Sequence, residues 1–271
     1  EESTSFGGVT KPVHHGGLGF GFKWNMGWMN DSLRYLALEP IHRQYHHNEM
    51  TFAMVYAYSE NFILPISHDE VVHGKGSMIN KIPQDTWRQF ATLRAFYSYM
   101  WAFPGKKLIF AGCEFGQRSE FNEATSLEWW VSDLWGHHGL QRMFKDLNEL
   151  YRTHPALWEL DSEPEGFRWL NADDAGGNTY SWVRADKAGN LVAVAVNFSS
   201  EPWTRYRLGL PKAGVWKEIF NSDSGIYDGS DAHGNLGQVE ASEEGWNGQP
   251  ASAMVVVPPL GAVYFEYTGQ E

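Results

Sequence analysis

Ionisable residues that could act on a substrate stand where apolar runs end. His68 and Asp69 follow the run Phe62–Ile66 after one serine, Glu114 follows a second apolar run, and Glu1 opens the chain. Because a charged group is costly to bury without a partner, we expect these side chains at strand ends that face a cleft. Cleavage of an acetal requires two such carboxyl groups, one protonated and one ionised, and it needs no metal.

A structural interpretation of the His-Asp-Glu sequence at 68–70 stays open beside the catalytic one. The same three residues could form a capped turn that leads from a strand into the next helix. Acidic residues that follow two separate apolar runs favour the catalytic interpretation, because the carboxyl ends of parallel strands form the active sites of many α/β folds.

Metal, phosphate and thiol chemistry find little support in the remaining motifs. Adjacent histidines diverge on a helix or a strand, so the two members of such a pair lack the i, i+4 spacing of a helical zinc pair. The glycine-rich stretch Gly16–Gly21 has no following Lys-Ser/Thr, and the single cysteine, Cys113, has no neighbouring base and is interpreted as a core thiol. We therefore predict neither a metal nor a cofactor. The histidine pairs, interpreted as solvated or hydrogen-bonded, are His14-His15, His46-His47 and His137-His138.

Charge and composition limit the class of partner. The formal net charge is −12, which disfavours nucleic acid and anionic membranes as partners, because both bind clustered cations. No apolar stretch approaches the length of a membrane span. The 13 Trp, 12 Tyr and 16 Phe residues suit a sugar ligand, whose C–H faces stack on aromatic rings, although core packing accounts for most single aromatic residues. A lone cysteine suits a reducing compartment.

The elements that would position these residues are those of a parallel α/β fold in residues 1–160. Apolar runs alternate there with helical patterns, which is typical of strands joined by crossover helices. We predict strands around Phe20–Trp24, at Phe62–Ile66 and at Lys107–Ala111. We predict helices in four places: a short one capped by Asp31 with Leu33 and Leu36, a short run at Thr51–Tyr58, a long one after Pro83 with Phe90, Leu93, Tyr97 and Met100 on one face, and a last one with Leu140, Met143, Leu147 and Leu150 on one face.

The pattern changes to a period of two in residues 161–271. Short β-branched and aromatic runs are separated there by Gly, Asn, Asp and Pro, which predicts an antiparallel β-sandwich with a long loop at Asn221–Asn235. The predicted strands are Phe167–Leu170, Tyr180–Arg184, Leu191–Asn197, Tyr206–Leu210, Trp216–Phe220, Met254–Val257 and Val263–Tyr267.

Several motifs together resemble bacterial 1,4-α-glucan (glycogen) branching enzymes of the α-amylase clan. The resemblance extends over essentially the whole chain, and the combination of motifs is far more specific than Ser-His-Asp-Glu alone. The motifs are Glu1–Thr4, Gly17–Phe20, Lys23–Met29, Arg43–His47, Leu64–Lys75, Trp101–Lys107 and Gly112–Gln117.

The resemblance implies a fold, a reaction and roles for individual residues. The implied fold is a (β/α)8 (TIM) barrel followed by an all-β sandwich, with residues 1–160 as the C-terminal portion of the barrel and 161–271 as the sandwich domain. The implied reaction is retaining transglycosylation, which cleaves an α-1,4-glucan chain and transfers it to a glucan 6-hydroxyl in glycogen biosynthesis. Glu1 would be the general acid/base, Asp69 the aspartate that supports the transition state, and His68 a contact to a sugar hydroxyl. Glu114 would order the rim of the site.

The resemblance also implies that part of the catalytic set lies upstream. The nucleophilic aspartate should precede Glu1, and the chain opens without Met, so we interpret it as a C-terminal fragment that is inactive alone and poorly soluble because of an open strand edge. We expect the full-length enzyme to be a cytoplasmic monomer that binds α-1,4-glucan or glycogen, not nucleic acid or membrane.

Two other functions remain open. A hydrolase of the same clan, such as an α-amylase, would share Glu1 and Asp69, but the Lys23–Met29 stretch favours branching. The chain could also be a non-catalytic glucan-binding module, in which the sandwich binds the glucan. We favour a structural role for the sandwich, because its aromatic positions alternate as core residues do.

Overall fold

The first part of the chain is built on a parallel sheet. A computed structural model describes residues 7–269, in which three strands, β1 (Lys23–Trp24), β2 (Phe62–Ile66) and β3 (Lys106–Ile109), pair in the order β1-β2-β3. Both pairings are parallel, which confirms the predicted α/β organisation of this part. β2 has the predicted limits. β1 is only two residues long, and β3 lies one residue earlier than predicted at its start and two residues earlier at its end.

The helices next to β1 differ from the prediction. α1 (Met26–Leu36) begins immediately after β1, and the Asn25 side chain caps it by accepting from the Trp28 amide at 2.9 Å. The predicted cap at Asp31 is wrong, because Asp31 lies inside this helix and pairs with Arg34. The helix starts earlier because Asn25 satisfies a free helix amide directly at the strand exit.

The segment that follows α1 is a series of short turns. It contains α2 (Pro40–Arg43) and α3 (Asn48–Thr51), and a 3₁₀ turn at Phe52–Val55 follows α3. The helical run predicted at Thr51–Tyr58 is therefore a single 3₁₀ turn that ends before Tyr56. Phe52 and Val55 point outward, at 54% and 77% exposure, so in this run only small side chains, those of Ala53 and Ala57, are fully packed inward.

Two long helices complete this part, and both were predicted. α4 (Thr86–Ala102) is capped by Asp85, which accepts from the Arg88 amide, and it is buried nearly all round from Phe90 to its end. α5 (His137–Thr153) buries one face, through Leu140, Met143 and Leu147. None of the helices in residues 7–269 is long and apolar enough to cross a membrane.

The remaining residues form the predicted antiparallel β-structure. Six strands make one sheet in the order β4-β5-β6-β11-β8-β9, and β10 and β7 make a two-stranded ribbon that packs over it. Strand β9 was missed, because its polar residues leave only one buried position. The strands are β4 (Phe167–Asp174), β5 (Thr179–Ala185), β6 (Leu191–Asn197), β7 (Trp203–Leu210), β8 (Gly214–Asn221), β9 (Gln238–Ala241), β10 (Ala251–Val257) and β11 (Gly261–Gly269).

The six-stranded sheet packs directly against the helices of the first part. The end of α4 accepts hydrogen bonds from it: the Ala102 carbonyl receives the Trp182 indole at 3.1 Å and the Arg184 guanidinium at 2.9 Å. Arg184 is fully buried and also donates to Asp161 at 2.7 Å. We call this contact region the junction. Its aromatic side chains belong to the same hydrophobic core as those of the first part.

The family motif at Arg43–His47 belongs to the junction. Arg43 is fully buried and donates to the Phe198 carbonyl at 2.9 Å, while the His47 ring stacks on Tyr180 at 4.1 Å between centroids. This segment therefore fastens the sandwich to the helices around the parallel sheet.

Candidate active site at the end of strand β2

The His-Asp-Glu sequence forms a tight turn at the carboxyl end of β2. Ser67 leaves the strand in an extended conformation, and residues His68–Glu70 make one 3₁₀ turn. β2 is the middle strand of the parallel sheet, so this turn opens at the edge where all three strands end. The prediction that these residues lie at a strand end is confirmed.

A reciprocal pair of side-chain bonds holds the turn. The Ser67 hydroxyl accepts from the Asp69 amide at 3.2 Å, and the Glu70 carboxylate accepts from the Ser67 amide at 2.5 Å and from its hydroxyl at 2.8 Å. This is a capping box, as the structural interpretation of the sequence anticipated. Ser67 and Glu70 are both buried.

The two residues between these anchors face outward. The His68 and Asp69 side chains are each 52% exposed, and His68 Nε2 lies 3.4 Å from Asp69 Oδ1. The His68 ring packs near Phe110, with 6.0 Å between ring centroids, so one side of the imidazole rests on an aromatic wall. A carboxylate and an imidazole are thus presented side by side to whatever occupies the space above the sheet.

The loop after β2 and the loop after β3 are joined to each other. The Phe121 amide donates to the Val71 carbonyl at 2.7 Å, and the Ser77 hydroxyl donates to the Arg118 carbonyl at 3.0 Å. Glu120 accepts from the Gly76 amide at 2.7 Å, and this bond lowers the pKa of the Glu120 carboxyl. The rim beside Asp69 is therefore one connected unit.

Glu128 closes the loop after β3 on itself. Its carboxylate accepts from the amides of Arg118 and Ser119 at 2.9 and 3.0 Å and from the Ser119 hydroxyl at 2.6 Å. Burial alone would raise the pKa of Glu128, but these hydrogen bonds outweigh it and lower the pKa. Sequence reasoning missed both Glu120 and Glu128, because nothing in their spacing distinguishes them from solvated surface acids.

Glu114 and Cys113 occupy the turn that follows β3. Glu114 accepts from the Gly112 amide at 2.8 Å, and Gly112 adopts a left-handed φ of 93°, which favours glycine. This bond agrees with a rim-ordering role for Glu114. Cys113 is buried, and burial raises its pKa to about 12, so its thiol stays protonated as expected of a core residue.

The remaining site predictions concern Glu1 and the histidine pairs. Glu1 lies outside the described residues, so its pairing with Asp69 stays a prediction. Within residues 7–269 no group of three or more His, Cys, Asp and Glu side chains could hold a metal ion. His47 and His137 bond to the carbonyls of Ala172 and Phe115 at 2.7 and 2.8 Å, so these two are hydrogen-bonded as predicted.

A comparison with protein-family models gives a match within the sandwich. Residues 169–268 match the family model for the alpha amylase, C-terminal all-beta domain. The match covers the sheet strands β4 to β11 and agrees with the antiparallel architecture.

Curated relatives match nearly the whole chain. A protein named 1,4-alpha-glucan branching enzyme GlgB from Cutibacterium acnes is 66% identical over 268 residues, which are 98% of this chain and 42% of that protein. Proteins of the same name from Leifsonia xyli and Frankia casuarinae are 53% and 56% identical and are covered to 36% and 33%. The chain thus spans about two fifths or less of the length of these relatives and corresponds to their C-terminal part.

Solved structures with a similar fold are α-amylases. The enzyme from H. orenii superposes with a TM-score of 0.57 over 98% of this chain and 52% of its own, at 13% identity. The enzyme from Geobacillus thermoleovorans, solved with acarbose, superposes with a TM-score of 0.60 over 93% of this chain and 49% of its own, at 12% identity. At these identities the likeness concerns the fold alone. The resemblance predicted from the motifs is confirmed by the curated relatives.

Proposed function

We propose, from the homology of this chain to the C-terminal part of bacterial 1,4-α-glucan branching enzymes, that it supplies the C-terminal part of such an enzyme. The reaction is the cleavage of an α-1,4-glucan chain and its transfer to a 6-hydroxyl of another glucan, as in glycogen biosynthesis. The observation that carries the proposal is the Asp69 carboxylate, half exposed beside His68 where β2 ends. The enzyme would work as a cytoplasmic monomer.

The parallel sheet supports a position near the end of a (β/α)8 barrel. Within residues 7–269, β1 and β3 each pair with a single neighbour, so both edges of the sheet can accept further strands. Such barrels carry their active sites at the carboxyl ends of the strands, where Asp69 stands. We propose residues 1–160 as the C-terminal portion of the barrel and 161–271 as the sandwich domain.

Each candidate residue has a defined part in this reaction. Glu1, as the acid, would protonate the departing glycosidic oxygen while an aspartate from the preceding part of the enzyme bonds to the anomeric carbon. Asp69 would stabilise the positive charge that develops on the sugar ring, and His68 would bind a ring hydroxyl. In the second step the acceptor 6-hydroxyl attacks the anomeric carbon, the ester bond to the aspartate breaks, and Glu1 takes the hydroxyl proton.

Transfer requires that an acceptor sugar reach the covalent intermediate before water does. We propose the aromatic loop at 117–130 as the acceptor surface, because it follows β3 and its Trp129 and Trp130 are 54% and 72% exposed. Phe20 and Phe22 are about half exposed as well, but they precede β1 and so lie at the amino edge of the parallel sheet, away from Asp69. Glu128 holds the loop that carries the tryptophans, so their rings need little ordering before a glucan stacks on them.

The experiment uses a chimera in which this chain replaces the matching C-terminal part of the Cutibacterium acnes protein. We expect the chimera to shift the iodine-stain spectrum of amylose without a rise in free reducing ends, and the 271-residue chain alone to do neither. The unmodified relative is the control for the assay. A chimera that is folded but inactive would contradict the proposal, and a steady rise in reducing ends would favour a hydrolase.

A glucan-binding module without catalytic use is the weaker alternative for the sandwich. Trp182 at the junction and Trp216 between the sheet and the β7–β10 ribbon are fully buried, which supports a structural role. Trp203 and Trp246 are partly exposed, at 37% and 42%. If the sandwich binds glycogen through them, replacing both by alanine in the whole chain should abolish its retention on a glycogen gel. A structural role predicts no such retention by the unchanged chain.

A further inference from the structure

Glu70 is a carboxylate next to Asp69 that the reaction outlined above does not use. It is 5% exposed, whereas the Asp69 side chain is 52% exposed, so neighbouring acids of one turn face in opposite directions. A buried carboxylate costs free energy unless its bonds compensate, and the bonds of Glu70 go to Ser67, the residue that leaves the strand.

The Ser67 hydroxyl connects the buried Glu70 carboxylate to the backbone of Asp69. The Ser67 hydroxyl donates to Glu70 at 2.8 Å, and the same oxygen accepts from the Asp69 amide at 3.2 Å. Because the hydroxyl proton points to the carboxylate, the free lone pair of Ser67 faces the Asp69 amide. The Glu70 carboxylate therefore sets the backbone position of Asp69 through one serine.

The far side of the turn is held independently. The Val71 carbonyl accepts from the Phe121 amide at 2.7 Å, and the Val71 amide donates to the His68 carbonyl at 2.9 Å. Because the neighbouring loop fixes Val71, the turn could still move only at its Ser67 end. The hydrogen bonds of Glu70 to Ser67 restrict that movement. His68 and Asp69 are held between these two anchors.

We infer that Glu70 is a positioning residue for Asp69, acting by reach and not by charge; this inference rests on the proposed function. A capping box is made equally by Glu and Gln, because each offers an oxygen at the same distance from the backbone. Asp carries the charge but is one methylene shorter, so it cannot reach Ser67 without moving the turn. The two conservative replacements thus separate geometry from charge.

The test compares E70Q, E70D and E70A in the chimera described above. We expect kcat to fall by about a hundredfold in E70D and E70A, because a displacement near 1 Å has that effect, and by less than about threefold in E70Q, with KM changed little in all three. Equal or higher kcat in E70D than in E70Q would overturn the inference. In a D69N background E70D should cause no further loss, since its effect passes through Asp69.

Asp223 provides the matched control. It is also buried, and it accepts from the amide and hydroxyl of Ser230 at 2.8 and 2.5 Å, but it lies in the sandwich region. D223A removes an equivalent set of bonds, so we expect it to lower the melting temperature at least as much as E70D while kcat stays within about twofold of wild type. An equal fall of kcat in D223A would show that E70D acts through stability alone.

Amide hydrogen exchange on the 271-residue chain separates this inference from the proposed function. We expect the Ser67 and Asp69 amides to exchange at least about tenfold faster in E70D and E70A than in wild type or E70Q, and D223A to leave them unchanged. If the wild-type chimera is inactive, the proposed function fails. The exchange rates of the Ser67 and Asp69 amides then still test whether Glu70 positions Asp69. Unchanged exchange in E70D would overturn it.

Discussion

The turn His68–Glu70 and the segment Arg43–His47 both carry charged and imidazole side chains, and both belong to the motifs that resemble branching enzymes. In the turn, the side chains of residues 68 and 69 are each 52% exposed beside a strand end. In the segment, Arg43 is fully buried and bonds to a backbone carbonyl of the sandwich. A charged residue in a motif thus indicates chemistry only where its functional group remains free to meet a ligand, and otherwise it indicates architecture.

The junction contains two further buried arginines. Arg94 and Arg184, like Arg43, lie in the core and donate to carbonyls across the junction, Arg94 to Ser222 and Arg184 to Ala102. A guanidinium has five donors in a fixed plane, so one side chain can connect several backbone segments at once. The junction therefore uses arginine as a connector, whereas the turn keeps His68 and Asp69 at the surface.

Replacing Asp69 by Asn tests the exposed half of this comparison and should have the largest effect. Loss of a charged catalytic group is expected to lower kcat of the chimera on the order of 10⁴-fold, with the melting temperature nearly unchanged because the side chain is half exposed. Iodine staining and circular dichroism measure the two quantities. Asp173→Asn, an exposed acid of the sandwich, is the control, and a D69N variant that keeps wild-type kcat would contradict the assignment.

Replacing Arg184 by Met tests the buried half. The change leaves Asp161 without its 2.7 Å partner, and we expect the free energy of unfolding to fall by about 3–5 kcal/mol. Denaturant titration followed by tryptophan fluorescence measures it. Arg152→Met removes an exposed ion pair with Glu149 and should change the free energy by less than about 1 kcal/mol. Equal effects of the two changes would show that the junction does not depend on its buried charges.

Acid pH should weaken the junction through Asp161. Burial alone would raise the pKa of this carboxyl, but the attraction of Lys107 and Arg184 outweighs it, so the pKa lies below its ordinary value. Its contribution to stability is therefore complete above the unfolded-state pKa, near 3.8, and is lost as the pH falls through the folded-state value. Between about pH 6 and pH 3 wild type should lose more unfolding free energy than Asp161→Asn. Parallel pH profiles would contradict this.

Replacing Glu128 by Ala should have the smallest effect, because it loosens a loop and leaves the core intact. Three hydrogen bonds from Arg118 and Ser119 are lost, and we expect the amides of these two residues to exchange about tenfold faster while the melting temperature changes by no more than about 2 °C. Glu123→Ala, an exposed acid in the same loop, is the control. A large fall in melting temperature would place the loop in the core and not at the rim.

The sequence could predict those elements whose local pattern and tertiary packing agree. Phe62–Ile66 is a continuous apolar run that meets a polar turn, and the structure has that strand with the same limits. The period-two pattern likewise predicted seven strands of the sandwich. β9 was missed because this polar edge strand forms through its pairing with β8, and a local sequence pattern does not show such pairing.

Other features depend on contacts between distant segments and could not be read from the sequence. Asp31 resembles a helix cap, but Asn25 stands where the strand ends and caps the helix first. At the site, the position of Asp69 after an apolar run predicted where it lies. The role of Glu70 as a buried anchor could not be separated from a second exposed acid until its partners were known.

The last turn of α4 has a consequence for recombination between related genes. The carbonyls of Ser98 and Ala102 accept side-chain bonds from Tyr264 and Trp182, so this one helix belongs to the packing of both halves of the chain. A crossover near residue 160 would combine α4 from one parent with a six-stranded sheet that evolved in contact with the α4 of the other parent. Hybrid proteins should tolerate exchange upstream of β1 far better, since the helix and the strands that it serves are then inherited together.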